Sequence, residues 1–274
     1  MNKKLIGHGF IAPDITPDHF ILGDKKLPEK VLQKNGNWFD FLPIGERQAY
    51  GFETYGCTIY NTLQIIETLQ KRVLNTQHDY AERAVYIGTG TQPPGNNPHV
   101  IAEWIRNNGL AGESLLPFDS TIQTFQDYIS SNPLPQSIIN EMNLWKRLYD
   151  FGHEWVFKGE PVKEKHERLK YALTLSPIGV SVVGWKEHNG IYVKDEGEPD
   201  NHWTDLVAYD GIYPIVYDSY PPFFKKLSPD YDFNYAKRFS LNSYNFSSYN
   251  LELDTNSKTL WEKLSSLLPL RSRS

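Results

Sequence analysis

Residues 55–73 read Tyr55-Gly-Cys-Thr-Ile-Tyr-Asn-Thr-Leu-Gln-Ile-Ile-Glu-Thr-Leu-Gln-Lys-Arg-Val73. Ile59, Leu63, Ile66 and Val73 recur at helical spacing with further apolar residues between them, which predicts a long helix with one buried face. Cys57, the one cysteine of the chain, stands at its first turn. The positive end of the helix dipole and the unpaired N–H groups there favour a thiolate. A lone cysteine is otherwise a small core thiol, so the rest of the chain has to decide between packing and chemistry.

The chain has 274 residues, 39% hydrophobic and 22% charged, with a net charge of -5. That is globular composition, with enough chain for one large domain or two fused lobes. The basic residues are scattered, so no nucleic-acid partner is expected. No apolar run approaches the ~20 residues of a membrane span, and no membrane partner is expected. One cysteine allows no internal disulfide, which suits a reducing compartment. Lys3 and Lys4 imitate the start of an export signal, but Gly7, His8 and Gly9 break its apolar part. The expected location is therefore the cytoplasm or a virus particle rather than outside the cell.

Outward from the cysteine helix, residues 1–36 form an extended arm or pro-segment-like lead-in, broken by Pro13, Pro17 and Pro28. The stretch lacks the length and periodicity of a folded inhibitory pro-domain, so we expect it to wrap the domain. Residues 79–86 suit a short helix, and 99–108 a second amphipathic one, with Val100, Ile101, Trp104 and Ile105 on one side and Gly109 as its stop. The loop from Gly88 to Pro98 is glycine-rich, but it lacks the lysine of a phosphate loop, and no nucleotide cofactor is expected. Residues 119–150 hold further helices with a break at 132–135, and 162–175 another. The period then changes: 178–185, 203–209, 212–217 and 238–241 read as strands between Gly, Asn, Asp and Pro turns. The layout is α+β, with a helical lobe over about 50–160, a sheet lobe over about 161–250, and a cleft between them. Residues 251–274 are expected to be a short amphipathic helix over 259–268 and a tail. That helix is expected to pack on its own domain; docking on a protein partner, through it or the N-terminal arm, is the alternative.

A catalytic thiol needs a base and a group that orients the base. His78, His153, His166 and His188 lie in charged or turn-like surroundings that predict solvated side chains. Neither His153 nor His166 starts a His-Glu-x-x-His helix, since Phe157 and Lys170 stand four residues on. No metal is expected. His202 differs, because Asn201-His-Trp-Thr-Asp-Leu-Val leads straight into a buried strand, and Pro214-Ile-Val-Tyr-Asp-Ser-Tyr220 follows the turn at Asp210-Gly211. Two antiparallel strands joined by that turn bring His202 beside Asp218.

Taken in order, these signals resemble those of the papain-like cysteine peptidases. A tryptophan-containing lead (Trp38 to Pro43) and a glutamine precede Gly-Cys at the head of a long helix. Ala102-Glu-Trp-Ile, then Glu113-Ser-Leu-Leu-Pro-Phe118, a helix ending in Ser176-Pro177, Asn201-His202 and Asp218-Ser-Tyr220 follow. Cys57 and His202 are 145 residues apart, inside the ~130–150 of that family. The resemblance covers about 37–225 and implies a two-lobed fold in a catalytic domain over about 37–250, and a peptidase acting on peptide or protein substrates without cofactors. It makes Cys57 the nucleophile, His202 the general base and Asp218 the orienter in place of an asparagine. Tyr220 becomes the aromatic shield, Gln48 the oxyanion donor, and Asn201 a contact for the scissile residue's backbone. Two departures stand out: Thr58 follows the cysteine in place of tryptophan, and Gln48 lies further ahead of Cys57 than the pattern has it. Amide transfer or cell-wall peptide cleavage on the same triad, and a silent scaffold in a viral particle or other assembly, are the rival expectations. A thiol sealed in hydrocarbon, or an imidazole turned outward, would remove the basis for hydrolysis and leave only the architecture.

Overall fold

The computed structural model describes residues 9–14, 22, 27, 29–159, 164–195 and 197–243. The helix expected over 259–268 lies outside the described residues. In chain order the elements are helices α1 (Cys57–Leu74), α2 (Glu82–Gly88), α3 (Pro98–Asn108), α4 (Phe125–Tyr128) and α5 (Gln136–Leu148), strand β1 (Tyr149–Lys158) and helix α6 (Lys165–Leu173). Strands β2 (Ile178–Val182), β3 (Lys186–His188), β4 (Ile191–Val193), β5 (His202–Asp210), β6 (Tyr213–Tyr217), β7 (Phe224–Lys226) and β8 (Tyr235–Ser243) follow. No described helix is long and apolar enough to cross a membrane.

Helix α1 is the centre of the molecule. Every residue from Cys57 to Gln70 is buried, so the one-sided burial read from its apolar spacing is a correction: the sheet covers one side and α2 and α3 the other. Part of its polar set is paired, as a desolvated polar group requires, while the side chains of Thr58, Thr62 and Gln64 have no hydrogen-bond partner among the described residues. Glu67 Oε1 accepts the Tyr80 N–H at 2.9 Å, and the Gln70 side chain bonds the hydroxyls of Tyr80 and Tyr149. Ile59, Leu63, Ile66 and Leu69 join Trp38, Val180, Val207, Ala236 and Phe239 in the main core. Each such side chain removed from water is worth roughly 1.5–3 kcal/mol. The helix ends where Asn75 turns left-handed, its N–H donating to Lys71 O at 3.0 Å.

The main sheet is antiparallel, in the order β1-β8-β2-β5-β6-β7, and β3 and β4 form a separate hairpin. Two registers place the site. Val182 on β2 faces His202 on β5, and Asp205 on β5 faces Tyr217 on β6, with an irregularity between Leu206 and Ala208. Gly179 lets the Trp203 indole lie flat on β2, since a Cβ there would stand 2.6 Å from the ring. The four predicted strands are β2, β5, β6 and β8. The helical stretch predicted up to residue 150 ends at Leu148, and 149–158, placed in the helical lobe, is the edge strand β1. Phe151 and Trp155 on that strand pack on the sheet's own core, and β1 pairs along β8 from Tyr149↔Ser243 to Lys158↔Tyr235.

Candidate active site

Cys57 sits at the first position of α1 behind Gly56. The loop before it is closed by Gln48: its N–H donates to Ser219 O at 3.3 Å, and its carbonyl accepts the Thr54 hydroxyl at 2.8 Å. One turn along the helix, Asn61 Nδ2 donates to Cys57 O at 2.8 Å and to Trp203 O at 2.6 Å. One asparagine thus ties the cysteine turn of α1 to the residue beside His202. Four residues after Cys57, Asn61 shares its helix face, and that spacing was the one signal in the chain that points to it.

His202 is the first residue of β5 and is fully buried. Its Nε2 lies 2.6 Å from Asp218 Oδ1, while Nδ1 has no hydrogen-bond partner among the described residues. Asp218 also accepts the Ser219 N–H at 2.9 Å, and its second oxygen takes the Lys225 ammonium at 2.6 Å. Lys225 is buried with it and donates as well to Tyr220 O and Pro222 O, both at 2.7 Å, with its Nζ 4.9 Å from the Trp185 ring centroid. Burial alone would raise the Asp218 pKa; His202 and Lys225 outweigh it and hold the carboxyl below its usual range. Lys225 is the member that sequence reasoning missed. It stands on the short strand β7, which carries no strong periodic signal.

Tyr220 and Trp185 flank the imidazole, with ring centroids at 5.3 and 5.6 Å. Gln48 is buried beside them, and its Nε2 donates to Glu53 Oε1 at 2.9 Å and to the Tyr220 hydroxyl at 2.7 Å. Its Oε1 accepts the Ser219 hydroxyl at 2.7 Å. Both amide hydrogens are therefore engaged, and an oxyanion would have to displace one of those acceptors. Asn201 contributes its carbonyl, which accepts the Phe10 N–H at 3.4 Å, and its side-chain oxygen accepts the Gly184 N–H. The structure brings Cys57, Gln48, Asn201, His202, Asp218 and Tyr220 to one place.

Three expectations are corrected here. Residues 9–11 do not simply wrap the domain: they run across the thiol. Asn96 N–H donates to Gly9 O at 2.9 Å, Ile11 N–H donates to Asn96 O at 3.1 Å, and the Phe10 ring stacks on Trp203 at 5.5 Å. Gly9 holds a positive φ of 141°, and a Cβ there would meet Tyr55 O at 2.6 Å and Cys57 Sγ at 2.8 Å, so only glycine lies flat over the sulfur. The thiol is fully covered, among Phe10, Trp155 and Trp203. Burial pushes its pKa well above the ordinary value, although the Trp203 and Thr58 N–H groups pull the other way, and the charges of Asp218 and Glu53 add to the rise. The helix-terminus argument for a thiolate therefore fails in this closed arrangement, because desolvation exceeds what a dipole and two donors return. His153, expected on a solvated face, likewise has a buried side chain, reaching from β1 to Glu103 of α3.

No family model and no curated protein match the sequence. Solved structures do resemble the chain. Digestive procathepsin L 3 of Tenebrio molitor larval midgut aligns over 81% of this chain and 76% of its own, at a TM-score of 0.54 and 14% identity. A Carica candamarcensis cysteine protease in complex with E-64 aligns over 74% and 96%, at 0.54 and 13%. The bromelain protease from Ananas comosus, in complex with the same inhibitor, aligns over 75% and 98%, at 0.52 and 17%. The fold is papain-like. Within it, the head of α1 and the start of β5 meet where the chain's thiol and its buried imidazole stand.

Proposed function

We propose that this papain-like chain is a cysteine peptidase held in a closed state, with Cys57 as nucleophile, His202 as general base and Asp218 as the group that fixes the imidazole. The observation that carries this reading is the His202–Asp218 bond of 2.6 Å through Nε2, which leaves Nδ1 as the one ring nitrogen without a partner among the described residues. With residues 9–11 displaced, the sulfur regains solvent, and transfer of its proton to Nδ1 gives a thiolate–imidazolium pair. The thiolate then attacks a peptide carbonyl carbon, and the carbonyl π electrons move onto oxygen. The N–H groups at the head of α1 are the nearest donors for that oxyanion, joined by Gln48 if its amide leaves Tyr220 or Glu53. Collapse expels the amine, which takes the proton from His202, and leaves a thioester. Water, deprotonated by His202, then releases the acid and restores the thiol.

The ion pair with Lys225 makes Asp218 a neutralised orienter rather than a full negative charge beside the imidazole. It holds the ring in place as an asparagine would. A second reading, a silent scaffold, is favoured by the covered thiol and by the engaged amide of Gln48. Hydrolysis of an unfolded protein substrate separates the two. Cleavage by the wild type that disappears in Cys57→Ser supports the peptidase. No cleavage by either the full chain or a Phe10→Ala variant, whose cover is loosened, supports the scaffold. Addition of a primary amine as acceptor distinguishes hydrolysis from transfer.

A further inference from the structure

Beside Trp155, whose ring stacks with His99, a second group of chemistry-bearing side chains converges. His99 and Glu103 stand one turn apart on α3 and so share a face, and His153 reaches them from β1. His153 Nε2 lies 3.0 Å from Glu103 Oε1, the His99 and His153 rings meet edge to face at 5.4 Å, and one donor atom from each of the three residues falls within 4.8 Å of the others. Two imidazoles and a carboxylate at one point are a donor set suited to a first-row transition ion, with a fourth position left for water. The geometry points to a divalent transition-metal site, of the zinc class, formed by His99, Glu103 and His153.

The surroundings define how the ion would sit. Glu103 Oε2 is taken by Arg106 at 2.5 Å, so Oε1 is the oxygen turned to the histidines. The outer contact to arginine orients the carboxylate as partners of metal ligands do. Zinc–nitrogen and zinc–oxygen bonds of ~2.0–2.2 Å require the donors to draw together slightly. His99 and Glu103, both partly exposed on α3, have the room to do so. One group opposes the ion: Lys237 on β8 is buried with its Nζ 3.5 Å from His99 Nδ1 and 4.1 Å from the centre of the Trp155 ring. A bound ion would tie α3, in the helical half, to β1, in the sheet. It would do so three residues after Asn96, the backbone anchor of the segment that covers Cys57. The inference does not depend on the peptidase reading, since it concerns binding alone.

The test is a cobalt(II) titration of the full chain carrying Cys57→Ser, which removes the one thiol that could bind the metal, followed by zinc competition and thermal unfolding with and without zinc. We expect one cobalt per chain with the visible absorption of a low-coordinate ion, its displacement by zinc, and a higher unfolding temperature with metal because only the folded chain holds the site. His99→Ala should weaken binding ~100-fold or more. Because His99 is only partly buried, this variant keeps its fold, whereas His153→Ala is a less safe probe. His188→Ala, in the exposed hairpin, should change nothing, and Lys237→Met should tighten binding by removing the competing charge. Absence of a cobalt spectrum, or equal binding in the His99→Ala chain, overturns the site. So does weakening by Lys237→Met together with stabilisation by inorganic phosphate, which would identify an anion site instead.

Discussion

Among the described residues two histidine–carboxylate pairs stand out, His202–Asp218 and His153–Glu103, and they are built differently. Around His202, every oxygen of Asp218 is claimed by the chain itself, by His202, Ser219 N–H and Lys225, and no part of the pair reaches water. Around His153, Glu103 is shared with Arg106 on a partly exposed helix face, and a second imidazole stands by. A carboxylate saturated in the dry interior serves to fix an orientation, since moving it would strand a charge. A carboxylate at the edge of solvent keeps the freedom to exchange partners.

The largest expected effect attacks the saturated pair. Lys225→Met leaves Asp218 buried against the imidazole and the Ser219 N–H, without its countercharge, and should cost about 3–5 kcal/mol in denaturant-induced unfolding. Adding Asp218→Asn removes the stranded charge and should recover most of the loss, so the double variant is more stable than Lys225→Met by itself. If the single substitution proves harmless, Lys225 is not what holds Asp218 and the contrast breaks down. A smaller effect concerns the cover over the thiol. Gly9→Ala places a methyl against Tyr55 O and the sulfur and should lift residues 9–11. Iodoacetamide labelling of Cys57 near pH 6 should then rise ~10-fold or more over the slow wild type, as an activated thiolate regains solvent. Labelling that stays slow, and speeds up only above pH ~8, would mean that the uncovered thiol is ordinary.

The smallest effect sharpens the contrast from a third carboxylate. Glu113 accepts the Phe118 N–H through Oε1, but its other oxygen has no hydrogen-bond partner among the described residues. Burial first, and the charges of Glu46 and Asp79, raise its pKa to about 8, although the Phe118 N–H and Arg83 oppose the rise. In the folded chain the group therefore holds its proton at a pH where the unfolded chain has released it. Its contribution to stability is complete below pH ~4.5 and is lost as pH rises towards 8, at no more than ~1.4 kcal/mol per pH unit. Glu113→Gln should flatten that slope, matching the wild type at pH 4 and exceeding it at pH 8 in thermal or denaturant unfolding. An unchanged slope would place the titration elsewhere in the acidic group.

Much of the architecture was legible because it rests on local periodicity. The spacing of Ile59, Leu63 and Ile66 and the alternation after Ser176 give the main helix and the strands β2, β5 and β6. The short turn at Asp210-Gly211 is enough to bring His202 to Asp218. Strand β1 was missed because it follows α5 directly: Tyr149 both caps that helix and opens the strand, so no turn residues mark the boundary. Lys225 and the placement of Gly9 left no trace in their own neighbourhoods. Lys225 depends on a carboxylate seven residues back, brought to it by the turn between β6 and β7, and Gly9 on Cys57 and Gly95 from remote segments.

The amino-acid order by itself determined the elements, the pairing of an imidazole with an acid, and a cysteine at the head of a helix, since spacing and turn chemistry act over a few residues. Tertiary structure alone decided whether that sulfur faces solvent, which cation neutralises Asp218, and that His99, Glu103 and His153 converge. Desolvation and charge pairing are sums over everything packed around a group, and those neighbours come from segments that only folding brings together.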